Sequence, residues 1–273
     1  MKIVISDTIE ETCRALTEEM LFILHKIKDR DLFIAVSGGT TPKYLFDIWA
    51  HEYLHKIDWK RIQLFFVDER CVNPTDKESN YHMTVVHLIG KVPLLEKHIH
   101  RIHGESNPFD EAQRYDSVVR KILPWEGGVP VFDLTILGVG SDGHIASLFP
   151  DQFDNESQFE DSPNICDLES GGCNNNQISE NDELKNNIDS QIYKVALKKD
   201  NNQFRITMTL PLINRSKNIF LLLTGKEKKK IVKGIICESD DFYNYPVSRI
   251  YPVDGKVSMF VDKSTISCCF DGK

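Results

Sequence analysis

Short, nearly continuous apolar runs alternate with stretches of helical periodicity along most of the 273-residue chain. The runs are IVIS (3–6), DLFIAVS (31–37), RIQLFFV (61–67), VFDLTIL (131–137), RITMTL (205–210), NIFLLLT (218–224) and KVSMFVD (256–262). Their length and their β-branched and aromatic content predict strands. Helices are predicted between them over 8–28, 42–54, 81–88, 108–123 and 226–237. Strands that are apolar at almost every position are buried on both faces. Their alternation with helices predicts an α/β fold of three layers, a mostly parallel, doubly wound (Rossmann-like) sheet with helices on both faces. The whole chain, 1–273, reads as one domain, and no internal repeat is visible. Ligands of such sheets sit beyond the carboxyl ends of the strands.

Residues 151–190 break the pattern. They are rich in Asn, Asp, Ser and Glu and show no period, which predicts an acidic, mobile surface insertion. This segment holds eleven Asp or Glu and one Lys, so its net charge of −10 exceeds the −8 of the whole chain and leaves +2 elsewhere. The rest of the molecule is therefore suited to a small anion. No basic stripe with interleaved aromatics marks a nucleic-acid surface. The longest apolar run, IFLLL, is far short of the ~20 residues that span a membrane. The early charges of MKIVISDTIEE do not fit a signal peptide. Seven cysteines without a C-x-x-C pair fit a reducing compartment, so a cytoplasmic location is expected.

The strand ends carry the candidate chemistry. DLFIAVS runs into GGTTP, where Gly38 and Gly39 admit a close ligand and Thr40 and Thr41 add hydroxyls. Pro42 there fits the first position of a helix, whose N-terminus would seat a phosphate. The Gly-Lys-Ser/Thr ending of a P-loop is missing. RIQLFFV ends in Asp68, Glu69 and Arg70, and Arg70 can fork onto an oxygen pair. VFDLTIL ends in GVGSDGH, with Gly140, Asp142 and His144. An imidazole, with an unperturbed pKa of ~6.5, is a natural general base, and a nearby carboxylate can orient it. In RITMTL, alternation puts Arg205, Thr207 and Thr209 on one face. GKEKKK opens another helix, with one lysine near its start in reach of an anion. His98, His100 and His103 lack the further partners of a metal site and read as structural.

Taken together, SGGTTPKYLFD, FFVDERCVNPTDKESNYHMT, LGVGSDGHIASLFP and RITMTLPLIN, followed by TGKEK, resemble the 6-phosphogluconolactonase family. That family lies within a superfamily that includes glucosamine-6-phosphate isomerase/deaminase. The resemblance implies hydrolysis of 6-phospho-D-glucono-1,5-lactone to 6-phosphogluconate, in the oxidative pentose phosphate pathway, with no metal or organic cofactor. It implies His144 as the base that activates water, Asp142 as its orienting partner, and Asp68 and Arg70 in the site. It further implies Gly38, Gly39 and Thr40 in the phosphate-side loop, with Arg205 and Lys228 facing the phosphorylated sugar. The expected partner is a small sugar phosphate, and fusion or functional coupling to glucose-6-phosphate dehydrogenase occurs in some lineages. Two features depart from the family's pattern: the long acidic insertion, and Tyr251 where a basic residue is expected.

Other readings are weaker. The deaminase branch follows DGHIA with F-N-E-P and has Asp-Glu-Tyr, whereas this chain has Ser147, Leu148, Phe149 and Pro150, and Asp-Glu-Arg. Gly138, Gly140 and Gly143 spell a literal G-x-G-x-x-G. The acidic residue that a dinucleotide site needs ~20 residues on would fall inside the polar insertion, where no strand is credible. A serine hydrolase elbow around Ser141 would need glycine in place of Val139. A non-catalytic sugar-phosphate sensor is the remaining alternative.

Overall fold

The structure, a computed structural model, describes residues 1–152, 191–237 and 240–266. The acidic insertion expected at 151–190 thus falls almost wholly outside the described residues.

Seven strands form the central sheet: β1 (Lys2–Ser6), β2 (Leu32–Val36), β3 (Ile62–Phe66), β5 (Ile99–His100), β8 (Leu134–Gly138), β11 (Asn218–Leu223) and β12 (Lys256–Asp262). Their order is β1-β12-β11-β8-β2-β3-β5, and every neighbouring pair is parallel. Leu134, Ile136 and Leu137 of β8 are buried, as are Leu221, Leu222 and Leu223 of β11. That two-sided burial accounts for their unbroken apolar sequence.

Helices fill both faces. In α1 (Ile9–Lys26), Cys13, Leu16, Met20 and Leu24 recur at helical spacing and are buried. Thr8 caps its start by accepting a hydrogen bond from the Glu11 N–H, and His25 and Lys26 close its last turn, where cations suit the helix dipole. α2 (Thr40–His51) packs on α1, and the indole N–H of Trp49 donates to Thr17 Oγ at 2.9 Å. α3 (Asn80–His87) and α4 (Pro108–Ile122) follow, and α4 starts on an Asn107 cap with Pro108 in its first turn. α5 (Leu210–Arg215), α6 (Lys229–Cys237) and α7 (Lys263–Ile266) complete the α-helices of the described residues.

Two departures from the sequence reading matter for the site. The RITMTL strand is β10 (Gln203–Met208), and it does not join the main sheet. It lies between β4 (Asp68–Arg70) and β9 (Tyr193–Lys198) in a separate antiparallel sheet, while β6 (Trp125–Glu126) and β7 (Val129–Pro130) pair as a short hairpin. Asp68, Glu69 and Arg70 are accordingly strand residues and not a strand-end loop. The link is Val67, whose N–H donates to Val36 of the main sheet and whose carbonyl accepts from Met208 of the small one. The second departure concerns α2, which begins at Thr40, so that Pro42 is its third residue. A missing N–H costs nothing in a first turn.

Strand order reverses between β2 and β8. From β2 the chain moves outward through β3 to β5, and from β8 it moves the other way through β11 to β12. A crevice opens at the carboxyl ends of such a pair, where ligands of open α/β sheets bind.

Candidate active site

A cleft of about 210 Å³ occupies that switch point. Its walls include Ser37 to Pro42 after β2 and Gly138 to Gly140 at the end of β8, together with Asp68, Arg70, Asn80, His144, Arg205 and Lys228. Of the residues expected from sequence, Gly38, Gly39, Thr40, Thr41, Asp68, Arg70, Gly140, His144, Arg205 and Lys228 line this one cleft. Asp142 does not line it but touches a residue that does. A larger, more open hollow of about 730 Å³ lies beside Cys71, Gly104 and Phe204. Its Glu105 is already engaged by Arg101, and no histidine reaches it.

One wall is the N-terminus of α2. Its cap residue, Gly39, has φ +111°, a backbone that favours glycine, and no side chain caps the helix. The first-turn N–H groups are therefore left for a ligand, and no acidic residue opposes an anion there. Gly38 is required for space, since a Cβ would lie 1.8 Å from Asn80 Oδ1.

The floor is the small sheet. Register places Arg205 opposite Arg70 and Thr207 opposite Asp68, so these four side chains share one face. Neither guanidinium is neutralised by a carboxylate among the described residues. Arg70 donates to the Glu78 carbonyl, Arg205 donates to Gln203 Oε1, and the Nε of each is buried without a partner. Arg205 is only 7% exposed. Burial, then the neighbouring Arg70 charge, pulls its pKa down, against the opposing pull of Asp68, Glu78 and Glu69. Two like charges held face to face with orphaned donors are a seat for an anion.

Asp68 is 5% exposed, and both of its oxygens are engaged. Ser147 donates to Oδ2 at 2.6 Å, and Asn80 donates to Oδ1 at 3.2 Å. It braces the floor. Glu69 turns to the opposite face and receives the N–H groups of Arg70, Asn80 and Tyr81 and the Ser79 hydroxyl. It thereby ties the start of α3 to β4. Burial pushes the Glu69 carboxyl up, and these hydrogen bonds pull it back.

The opposite wall is the loop after β8. His144 Nδ1 lies 2.6 Å from Asp142 Oδ1, which also accepts the His144 N–H. Burial raises the Asp142 pKa, but its hydrogen bonds with His144 outweigh this and bring it down to about 2. The pair packs over Gly140, where a Cβ would come within 2.2 Å of both Asp142 Oδ1 and His144 Nδ1. Gly143, at φ +80°, faces the ring of Tyr245. No helix starts after Gly143. The chain instead makes isolated bridges, Val139 with Ile145 and Ile145 with Leu148, so the structural context of a dinucleotide turn is missing. Lys228 stands near Asp142, and burial lowers its pKa while Glu227 and Asp142 act against that.

Asn80, Ser147 and the capping role of Glu69 were not anticipated. Ser79 and Asn80 directly precede the helix expected over 81–88, where capping residues are favoured, and that is the one signal that points to the first. Of the histidines read as structural, His100 stacks on Phe65 and bonds Gln63, and burial takes its pKa to about 4. His98 lies in a short 3-10 turn beside β5, its Nδ1 without a partner. Among the described residues no cluster of three His, Cys, Asp or Glu is gathered as metal ligands. None of their helices is long and apolar enough to cross a membrane.

Known proteins resemble this chain in sequence and fold. A 6-phosphogluconolactonase of Treponema pallidum is 34% identical over 204 residues, covering 75% of this chain and 72% of that one. One from Haemophilus influenzae is 31% identical over 246 residues, covering 90% of both. The crystal structure of the devB protein superposes with a TM-score of 0.79 at 30% identity, over 97% of each chain. That of 6-phosphogluconolactonase from Trypanosoma brucei does so with a TM-score of 0.75 at 25% identity, also over 97% of each. The pattern shared by glucosamine-6-phosphate isomerases and 6-phosphogluconolactonases matches residues 7–168 and 179–259, and the chain belongs to this family.

Proposed function

We propose that the chain hydrolyses 6-phospho-D-glucono-1,5-lactone to 6-phosphogluconate, with His144 as general base. The observation that carries this reading is one cleft holding a carboxylate-oriented imidazole and two guanidiniums that no carboxylate of the described residues neutralises. The curated relatives named for this activity support it.

With Nδ1 donating to Asp142, the lone pair of His144 sits on Nε2. Water attacks C1 as Nε2 takes its proton, and the carbonyl π electrons move onto oxygen. Collapse of this intermediate restores the carbonyl and breaks the bond from C1 to the ring oxygen. The departing oxygen takes the proton back from Nε2 and leaves as a hydroxyl. A base so placed contributes ~10²–10⁴ in rate, and donors aimed at the oxyanion add to it. The phosphate, remote from C1, is gripped by the basic groups and the α2 N-terminus, and that binding energy fixes the carbonyl against the water.

Both oxygens of Asp68 accept a hydrogen bond, from Ser147 and from Asn80, which suits a brace better than a free base. That favours lactone hydrolysis over deamination. The same reading puts the chain in the cytoplasm, supplied with lactone by glucose-6-phosphate dehydrogenase. The test is consumption of freshly generated lactone, corrected for spontaneous opening, with and without chelator, beside glucosamine 6-phosphate. Fast, chelator-insensitive lactone turnover is expected. No acceleration by folded protein, or preferential turnover of the amino sugar, would overturn the proposal.

A further inference from the structure

We infer that Phe149 is a positioning residue that holds both the His144 imidazole and the Arg205 guanidinium in working geometry. The inference rests on the lactonase reading above and adds a residue that touches neither substrate nor cleft.

Phe149 is 6% exposed and lies behind the cleft wall. The chain reaches it by folding back after His144. Ala146 takes a left-handed turn at φ +49°, and the Leu148 N–H returns to the Ile145 carbonyl. This fold-back brings the Phe149 ring to 5.1 Å from the His144 ring, at 53°. The same ring lies 5.6 Å from Arg205 Cζ. One aromatic side chain therefore contacts a group from each half of the site.

The contact with Arg205 solves an electrostatic problem. A guanidinium this buried is ordinarily paired with a carboxylate. Such a partner would cancel the charge that an anionic substrate is meant to meet. Arg205 instead has the neutral Gln203 amide and the electron-rich face of Phe149. A π face supports a cation without neutralising it. The contact with His144 supplies what Asp142 cannot. The hydrogen bond at Nδ1 fixes a distance and a direction but leaves the ring free to swing about that bond. The Phe149 ring limits the swing and so aims Nε2. The other charged groups around His144 are Asp142 on its own loop, Lys228 and Glu227 before α6, and Asp68 and Arg70 on β4.

Two replacements separate these effects. Pentafluorophenylalanine at 149 keeps the ring at nearly the same size but reverses its electrostatic face. It is expected to raise KM and weaken inorganic phosphate binding, read by calorimetry, by about 3- to 30-fold, and to lower kcat less than loss of the ring does. Phe149→Leu removes the ring, so it is expected to raise KM similarly, lower kcat and alter the pH profile of kcat. A fluorinated variant with unchanged KM and phosphate affinity would overturn the Arg205 half of the inference. A Leu variant with normal kcat and pH profile would overturn the His144 half. Phosphate binding needs no turnover. Failure of the lactonase reading would therefore appear separately, as an inactive parent protein.

Discussion

His144 Nδ1 and Asp142 Oδ1 meet at 2.6 Å on a loop that also returns the His144 carbonyl to the Gly140 N–H at 2.8 Å. Backbone and side chain are thus locked together within the five residues 140–144, just after β8. Asp142→Asn keeps the size of the side chain but lets its amide face Nδ1 with a donor, which favours the wrong tautomer. Steady-state kinetics should show kcat lowered by about 10²–10⁴ with KM little changed. A loss below threefold would show that the carboxylate has no part in the reaction.

The depressed Asp142 pKa sets a pH window. Its folded value, about 2, lies below its ordinary 3.8. The dyad's contribution to stability is therefore fully present above about pH 4 and is lost as pH falls toward 2. Asp142 is about half exposed, so solvent screening keeps the effect small. Thermal melts of the parent and Asp142→Asn should differ at pH 6 and converge near pH 2. In activity assays, Asp142 stays ionised throughout the neutral range, so it does not titrate there. Melts that stay equally separated from pH 6 to pH 2 would contradict the assignment.

The opposed arginines predict a trade between binding and stability. Replacing Arg205 by Met removes one of two facing positive charges and an orphaned Nε, so the unliganded protein should melt no lower than the parent. Substrate binding should suffer instead, with KM raised by about 10- to 100-fold, as expected for a charge-assisted hydrogen bond. Phosphate should raise the Tm of the parent by mass action but raise that of Arg205→Met much less. A variant that melts far lower and binds phosphate normally would make Arg205 a structural residue.

Much of this site was legible because parallel sheets put function where strands end. GGTT after β2 and GVGSDGH after β8 could be singled out before the strand order was known, and the order then explains why these two loops meet. VDER was harder to read. A strand that leaves one sheet at Val67 and enters another at Asp68 looks, in sequence, like a strand running into a charged loop. The pairing of Arg70 with Arg205, 135 positions on, depends on register between β4 and β10, which local pattern does not encode. β9 was missed because YKVALK follows directly on the polar insertion and carries lysines at two of its six positions. Asn80 and Ser147 were invisible for another reason. Their importance lies in holding Asp68, and nothing in a single polar residue reveals its partner.

Ser147→Ala tests that brace. Ser147 is fully buried, and its hydroxyl bonds Asp68 Oδ2 while its N–H reaches Thr207. Removing the hydroxyl leaves a buried carboxylate oxygen unsatisfied, at about 1–3 kcal/mol. Denaturant unfolding should show a loss of this size. A shift below about 0.5 kcal/mol would mean that Asp68 finds another donor.

Gly140→Ala separates geometry from stability most directly. The added Cβ would come within 2.2 Å of Asp142 Oδ1 and His144 Nδ1, so both side chains must move. They can do so, because each is partly exposed and the colliding atoms are side-chain tips. No left-handed backbone is required at this position, since Gly140 is not among the glycines with positive φ. The variant should fold and melt within a few degrees of the parent. It retains every chemical group of the dyad, yet its kcat should fall by about 10²-fold or more, because a displacement of this order takes the base out of reach of its water. Full activity in Gly140→Ala would mean that the dyad works from more than one position, and that this glycine is there only to turn the chain.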